Sequence, residues 1–339
     1  MSILTPESNM LLRNRDQFTH RNVLFSGDLQ DTLSAYIETQ TRCIYTQQYL
    51  HWKILKEILG KNTYFGVIMT SNMLNKCDTL IYYWPKNKQK AQFQLQNLLS
   101  LLPCGSEIFI VGEHRSGVRS ATNCIKNWVE LRKIDSARHC GLYHGYLEKQ
   151  PYFNLNTFWH EYLVGSLTIQ SLPGVFGYNG LDRGTQLLLS TLIDNNIRGR
   201  ILDVGCGTGI LAAMLASYSQ ATHLTLTDVN AAALSSSQAT FSCNTLRGTI
   251  LPSNVYSNIT GRFDVIISNP PFHDRFKRNL DITRVLIQKA PDYLYIGGEL
   301  RIVANSFLPY KKIFNETFDY HEVLISNGDF KVYRAIKTK

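Results

Sequence analysis

The chain has 339 residues, 44% of them apolar and 18% charged, and its 35 Lys and Arg exceed its 26 Asp and Glu to leave a net charge of +9. That length exceeds one ordinary domain and suits two, the composition is not that of a disordered chain, and the positive balance favours partners that carry phosphates. No apolar run approaches the roughly 20 residues needed to cross a bilayer, and the opening Met-Ser-Ile-Leu-Thr-Pro lacks the basic start and apolar stretch of an export signal, so a soluble cytoplasmic protein is expected.

Seven cysteines (Cys43, Cys77, Cys104, Cys124, Cys140, Cys206, Cys243) form no Cys-x-x-Cys pair, and the nine histidines show no ligand spacing with carboxylates. Reduced thiols and no metal are the expectation.

In chain order, the first strong element is Cys77-Asp-Thr-Leu-Ile-Tyr-Tyr-Trp-Pro85, an apolar run that opens after an Asp and breaks at proline. It reads as a buried parallel strand, followed by a helix over Gln92–Leu102 and a second strand in Gly105-Ser-Glu-Ile-Phe-Ile-Val. The same landmarks recur in Phe263-Asp-Val-Ile-Ile-Ser-Asn-Pro-Pro271, a helix over Leu280–Pro291 and Gly297-Gly-Glu-Leu-Arg-Ile-Val. Matching Asp, Pro and Gly-x-Glu positions imply two copies of one α/β plan, each with a parallel sheet. The boundary is expected between residues 150 and 165, with domains over 1–158 and 159–339, and Ser166-Leu-Thr-Ile-Gln-Ser-Leu reads as the strand that opens the second.

Within the second copy, Ile201-Leu-Asp-Val-Gly-Cys-Gly-Thr-Gly209 places a strand, an Asp and a Gly-x-Gly-x-Gly turn ahead of a helix over Ile210–Tyr218. Glycines let the backbone turn sharply and let a ligand approach with no Cβ in the way. A dinucleotide loop would need glycine where Ile210 stands, and Asp203 suits a ligand with a cationic amine better than a pyrophosphate. Leu224-Thr-Leu-Thr then runs to Asp228, a strand-end carboxylate able to accept from both hydroxyls of a ribose. The combination resembles the S-adenosylmethionine site of class I methyltransferases. A tight ligand-free turn and a strand-end cap are the plainer readings of the two parts taken singly.

The third part is Asn269-Pro270-Pro271-Phe272. The Asn side-chain oxygen and the Pro270 carbonyl form a rigid pair of acceptors for a planar NH2 group, and Phe272 can stack on the ring that bears it. Such a pattern resembles methyltransferases acting on exocyclic or amide nitrogens. A proline-terminated strand is the plainer reading. His273 and Asp274 stand where they could relay the released proton, or simply solvate a loop. Arg275, Lys277, Arg278, Arg284 and Lys289 then form a basic lip suited to a phosphate backbone, or an ordinary solvated helix face.

Along its whole length the chain resembles the bacterial small-subunit ribosomal RNA methyltransferase C family. Thr46-Gln-Gln, the 78–88 segment, Val111-Gly-Glu-His-Arg-Ser-Gly-Val-Arg-Ser, Leu172-Pro-Gly-Val-Phe, Gly180-Leu-Asp-Arg-Gly and the ending Phe330-Lys-Val-Tyr-Arg-Ala carry the resemblance, with the two motifs above. It implies two tandem Rossmann-like class I methyltransferase domains, the N-terminal one degenerate. It also implies methylation of N2 of one guanine, nucleotide 1207 of 16S rRNA, in the 30S subunit; a monomer is expected. Carried over by position, Asp203, Gly205, Cys206, Gly207 and Gly209 line the cofactor, Asp228 takes the ribose and Asn254 sits near the adenine. Asn269 to Phe272 hold the guanine and Phe176 to Asp182 close over the cofactor, while the basic lip offers Arg275, Lys277 and Arg278 to the RNA.

The first copy has Tyr83-Trp84-Pro85-Lys86 where the second has Asn-Pro-Pro-Phe, and no glycine loop, so it is expected to have lost catalysis. Tyr82, Tyr83, Trp84, Lys86, Lys88, Arg115 and Arg119 would then serve RNA docking or support of the catalytic half, or be core aromatics beside surface charge. The rival activities are a protein glutamine-N5 methyltransferase, an adenine-N6 methyltransferase and a non-catalytic assembly factor with a relic pocket.

Overall fold

The computed structural model describes residues 4–193, 197–218, 222–270 and 276–339, with the backbone alone for residues 222 and 276–280. The chain forms two compact units, Met1–Phe158 and Trp159–Lys339.

In the first unit the strands are β1 (Asn22–Gly27), β2 (Thr41–Thr46), β3 (Thr63–Phe65), β4 (Thr79–Tyr83), β5 (Glu107–Glu113), β6 (Arg132–Ala137) and β7 (Cys140–Tyr146). The second adds a hairpin of β8 (His160–Val164) and β9 (Leu167–Ser171), then β10 (Gly199–Val204), β11 (Thr222–Asp228), β12 (Thr249–Pro252), β13 (Phe263–Ser268), β14 (Leu294–Asn305), β15 (Tyr320–Ser326) and β16 (Phe330–Ile336). The sheet orders are β3-β2-β1-β4-β5-β7-β6 and β12-β11-β10-β13-β14-β16-β15, one topology used twice.

Five strands of each sheet run parallel, and the last two form an antiparallel hairpin on the edge. The sheets are therefore mixed rather than wholly parallel, since short turns after β6 and β15 leave no room for a crossover helix. The landmark residues explain why the two halves share a register. Asp78 and Asp264 open β4 and β13, and each accepts from the backbone N–H at the start of the neighbouring strand, of Asn22 and of Arg200. Gly105 and Gly297 adopt φ of +88° and +81°, conformations that favour glycine, and donate to Leu147 O and Lys337 O. Glu107 and Glu299 then pair across to the antiparallel strand, with His144 and with Arg334.

The expected Gln92–Leu102 helix starts earlier, at Lys88, because the Asn87 side chain caps it by accepting from Lys90 N, and it stops at Leu101 ahead of Pro103. Its Ala91, Leu95, Leu98 and Leu99 face the core with helical spacing. The expected Leu280–Pro291 helix runs from Phe276 to Tyr293. The expected Ser166 strand exists as β9, but it pairs with β8 outside the main sheet, tied by Gln170 and Leu172 to the Thr240 and Ser236 hydroxyls of the Ala231–Cys243 helix.

Candidate active site

The site lies at the carboxyl ends of β10, β11 and β13, where an open α/β sheet leaves a crevice as successive helices diverge. The loop after β10 is shaped by three glycines with positive φ: Gly205 at +75°, Gly207 at +55° and Gly209 at +77°. Gly205 N and Cys206 N both donate to Thr227 O, which folds the loop back over β11. A Cβ on Gly209 would stand 3.0–3.1 Å from Ser237, and one on Gly207 would stand 3.2 Å from the Phe176 carbonyl. Only glycine admits both the helix of residues 231–243 and the 172–182 segment to this turn.

Two carboxylates flank the loop. Asp228 Oδ2 accepts from Gly207 N at 3.1 Å and its Oδ1 from Asn230 N at 2.8 Å, so each oxygen keeps a lone pair for a further donor. Asp203 is fully buried, and neither of its oxygens has a hydrogen-bond partner. Burial first, and the neighbouring Asp228 charge second, push its carboxyl up to about 7; the Ala212 amide, which forms no well-made bond to it, offsets only part. Asp228 is raised by burial, with its backbone donors working the other way. A buried carboxylate left without a donor is costly, and a cationic amine is the ligand that would relieve it. Glycine loop, orphaned Asp203 and Asp228 together fit the methionine end and the ribose of S-adenosylmethionine.

At the end of β13, Asn269 points its Nδ2 at Asp182 Oδ2, 3.0 Å away, and at Thr185 Oγ1, 2.8 Å away. Its Oδ1 is buried and without a partner. Asn269 shares a pocket lining with Asp182, Thr185, Phe176, Gly205, Cys206 and Thr208. Tyr162 seals one side, its hydroxyl donating to Gly177 O at 2.7 Å.

The expected residues are thus brought together in the main: Asp203, Gly205, Cys206, Gly207, Gly209, Asp228 and Asn269 lie at the carboxyl ends of β10, β11 and β13, with Pro270 buried beside Asn269. Asn254 stands just beyond β12 with its backbone N–H on the Ser257 hydroxyl, and like Asp203, Gly207, Gly209 and Asp228 it is not part of the pocket lining. Pro271, Phe272, His273, Asp274 and Arg275 lie outside the described residues, and of Lys277 and Arg278 only the helical backbone is described. Arg284 and Lys289 are exposed on the same helix. Thr185 was not foreseen; its signal was an Asp three residues ahead of it, the spacing of a helix cap and the amide it holds.

Of the two readings of the aromatic and basic residues in the first copy, core aromatics beside surface charge is the one that holds. Tyr82, Tyr83 and Trp84 are 0%, 2% and 3% exposed, so they form core and offer no docking surface, whereas Lys86, Lys88, Arg115 and Arg119 are exposed. Arg115 is paired with Glu113. Among the described residues no group of three His, Cys, Asp or Glu is placed to hold a metal, and no helix is long and apolar enough to cross a membrane.

The chain matches two family models, the methyltransferase small domain over residues 166–334 and its N-terminal companion over residues 8–162. It is 59% identical to the ribosomal RNA small subunit methyltransferase C of Erwinia tasmaniensis, over all of this chain and 99% of that one. The protein of the same name in Klebsiella pneumoniae is 55% identical over the same shares. Among solved structures, the T. thermophilus 16S rRNA N2 G1207 methyltransferase, in complex with AdoMet and guanosine, superposes with a TM-score of 0.83. It covers 98% of this chain and 92% of its own at 21% identity, a likeness of fold.

Proposed function

The chain belongs to the ribosomal RNA small subunit methyltransferase C family, and from that premise we propose that it transfers the methyl group of S-adenosylmethionine to the exocyclic N2 amine of a guanine in 16S rRNA. The observation that carries this reading is the buried, unpartnered Asn269 Oδ1 at the end of β13, beside a glycine loop flanked by two carboxylates. It is an acceptor with no internal purpose, set where a planar NH2 would lie.

When bound, the cofactor supplies an electrophilic sulfonium methyl. Asp203 holds its amine and Asp228 its ribose, while Gly205 to Gly209 let the backbone approach. Asn269 Oδ1 accepts from the target amine and, with the Pro270 carbonyl, draws the nitrogen lone pair out of conjugation with the ring. Because both acceptors are fixed before the substrate arrives, little reorganisation is needed as charge develops on nitrogen. Positioning supplies most of the rate, and no strong base is required, since the methylated nitrogen becomes acidic enough to lose its proton. Phe272 stacks on the base, and Arg275, Lys277 and Arg278 meet the phosphates near it. A base within a helix would be flipped out, which favours an accessible loop of the assembled subunit. The first unit supports the second without binding cofactor, and the protein works as a cytoplasmic monomer.

The test is transfer of labelled methyl from S-adenosylmethionine to 30S subunits lacking their own methylation, with naked 16S rRNA and ribosomal protein in parallel. Label in N2-methylguanosine at nucleotide 1207 is the expected result. Label on protein glutamine would replace this reading with the amide activity, and cofactor binding without transfer would leave an assembly factor.

A further inference from the structure

The Asn269 amide is held by its nitrogen. Both Nδ2 protons are used, one on Asp182 Oδ2 and one on Thr185 Oγ1, and Oδ1 is left free. The partners have a direction built in. Thr185 Oγ1 donates its own proton to Asp182 Oδ2 at 3.2 Å and Thr185 N donates to the same oxygen at 2.9 Å, so the hydroxyl meets Asn269 with a lone pair. An ionised carboxylate can only accept. An amide turned over would set its oxygen against the carboxylate, and the hydroxyl could meet it only by giving up its own bond to Asp182.

The first unit shows which part of this arrangement belongs to the fold. There Thr5 caps the helix Pro6–Arg13 by accepting from Ser8 N, and the Ser8 hydroxyl meets Tyr83 at the end of β4, 3.1 Å away. Cap, hydroxyl and strand-end side chain recur, but the cap is a neutral threonine and the strand ends in a phenol. A carboxylate as cap, bonded to the strand-end side chain itself, belongs to the second unit. Capping alone does not ask for that, because Ser, Thr, Asn and Asp all cap well.

From this we infer that Asp182 is a positioning residue for methyl transfer: it claims the Asn269 nitrogen and so locks the amide with its oxygen toward the target amine. The inference rests on the proposed transfer to an NH2 group. It adds that the polarity of the acceptor is set from outside the Asn-Pro-Pro-Phe motif, by the residue ahead of the 183–193 helix. The negative charge also polarises the amide and makes Oδ1 a better acceptor.

Asp182→Asn is the discriminating variant, since asparagine caps as well as aspartate but offers the amide a donor as readily as an acceptor. Expected are a melting temperature close to that of the parent, cofactor affinity and KM for 30S subunits within about threefold, and a kcat lowered about tenfold or more. In an Asn269→Ala background the same change should cost nothing further, because the residue it acts through is gone. Asp182→Ser keeps the cap by another route and should behave alike. A kcat within twofold of the parent, or an undiminished loss in the Asn269→Ala background, overturns the inference.

A second readout needs no turnover. In full-length protein with 15N-labelled asparagine side chains, the Asn269 NH2 signal is the one absent from Asn269→Ala. It should be shifted and protected from water exchange in the parent, and should lose both in Asp182→Asn. Fast exchange in the parent would overturn the inference. If the parent methylates protein instead of guanine, the proposed substrate fails while this signal still decides the role of Asp182.

Discussion

Two halves with one strand order part at three positions of the crevice that strand register identifies. With Asp78 and Asp264 opening β4 and β13, β1 and β10 come into correspondence, and Phe25 falls where the second half has Asp203. The same step across to β2 and β11 sets Thr46 against Asp228. At the end of β4, Tyr83 stands against Asn269. The residues proposed to hold the amine, the ribose and the target NH2 are matched in the first half by a phenylalanine, a threonine and a tyrosine. The scaffold residues were kept: Gly27, like Gly205, has positive φ, and Asp78, Gly105 and Glu107 do the work of Asp264, Gly297 and Glu299. The same sheet order thus carries a crevice in one half and core side chains at the matching positions of the other.

The sharpest break of this comparison is to write one half's residue into the other. Phe25 is fully buried in a cluster with Phe18, Phe109, Tyr83 and Leu142. Phe25→Asp would open a cavity and bury a charge with no partner, at a cost of about 5 kcal/mol or more. The first unit should then lose its cooperative melting transition and become sensitive to protease within residues 1–158. A folded variant would mean that this crevice still tolerates a carboxylate, and that the first half is nearer to a ligand site than its core suggests.

Next in size is Asn269→Ala. Loss of one fixed acceptor should lower turnover by roughly 10²-fold or more, by analogy with losing one oxyanion donor, with cofactor affinity changing far less. Single-turnover transfer and titration calorimetry separate the two. Weakened cofactor binding with near-normal turnover would move Asn269 from the acceptor to the cofactor.

Asp203 sets the third test, through pH. Its carboxyl is raised to about 7 by burial and by Asp228, from about 3.9 in an unfolded chain. A raised carboxyl favours the protonated folded state. The penalty is therefore absent below about pH 4, grows as pH rises between 4 and 7, and is constant above. Without cofactor, the stability of the parent relative to Asp203→Asn should fall as pH rises from 5 to 8, read by urea unfolding. A flat difference would mean that the carboxylate has a donor after all. With cofactor, affinity should rise over the same range as Asp203 ionises. The matching position of the first half contributes no such dependence, because Phe25 does not titrate.

Much of this was legible in the sequence, for a physical reason: strand-opening Asp, turn glycine and cross-strand Glu are local requirements of one sheet plan, so they survive at fixed spacing. The glycine loop and Asn-Pro-Pro-Phe are likewise contiguous. What escaped is what forms between distant segments. Thr185 and Asp182 reach Asn269 across 84 and 87 residues, and the β8–β9 hairpin is fixed by hydroxyls 64 and 70 residues away. Tyr82, Tyr83 and Trp84 suggested docking because aromatics beside lysines are ambiguous until burial is known. Their run in a strand packed on both faces decides for core.

Tyr83→Phe is the smallest effect and the one that asks what the first crevice is for. Its hydroxyl meets Ser8 Oγ at 3.1 Å, and Ser8 in turn donates to Asp31 at 2.8 Å. Asp31 also accepts from the amides of Thr5 and Leu33, so the strand end, the first helix and the loop after β1 share one knot. The ring is otherwise retained, so the variant loses one hydrogen bond, and leaves the serine satisfied by Asp31. A cost of about 0.5–1.5 kcal/mol is expected, with methyl transfer unchanged. That asymmetry is the point of the test, since Asn269 occupies the matching position and its loss is expected to be felt in turnover. A fall in kcat from Tyr83→Phe without a fall in stability would give the first half a part in the reaction beyond structural support.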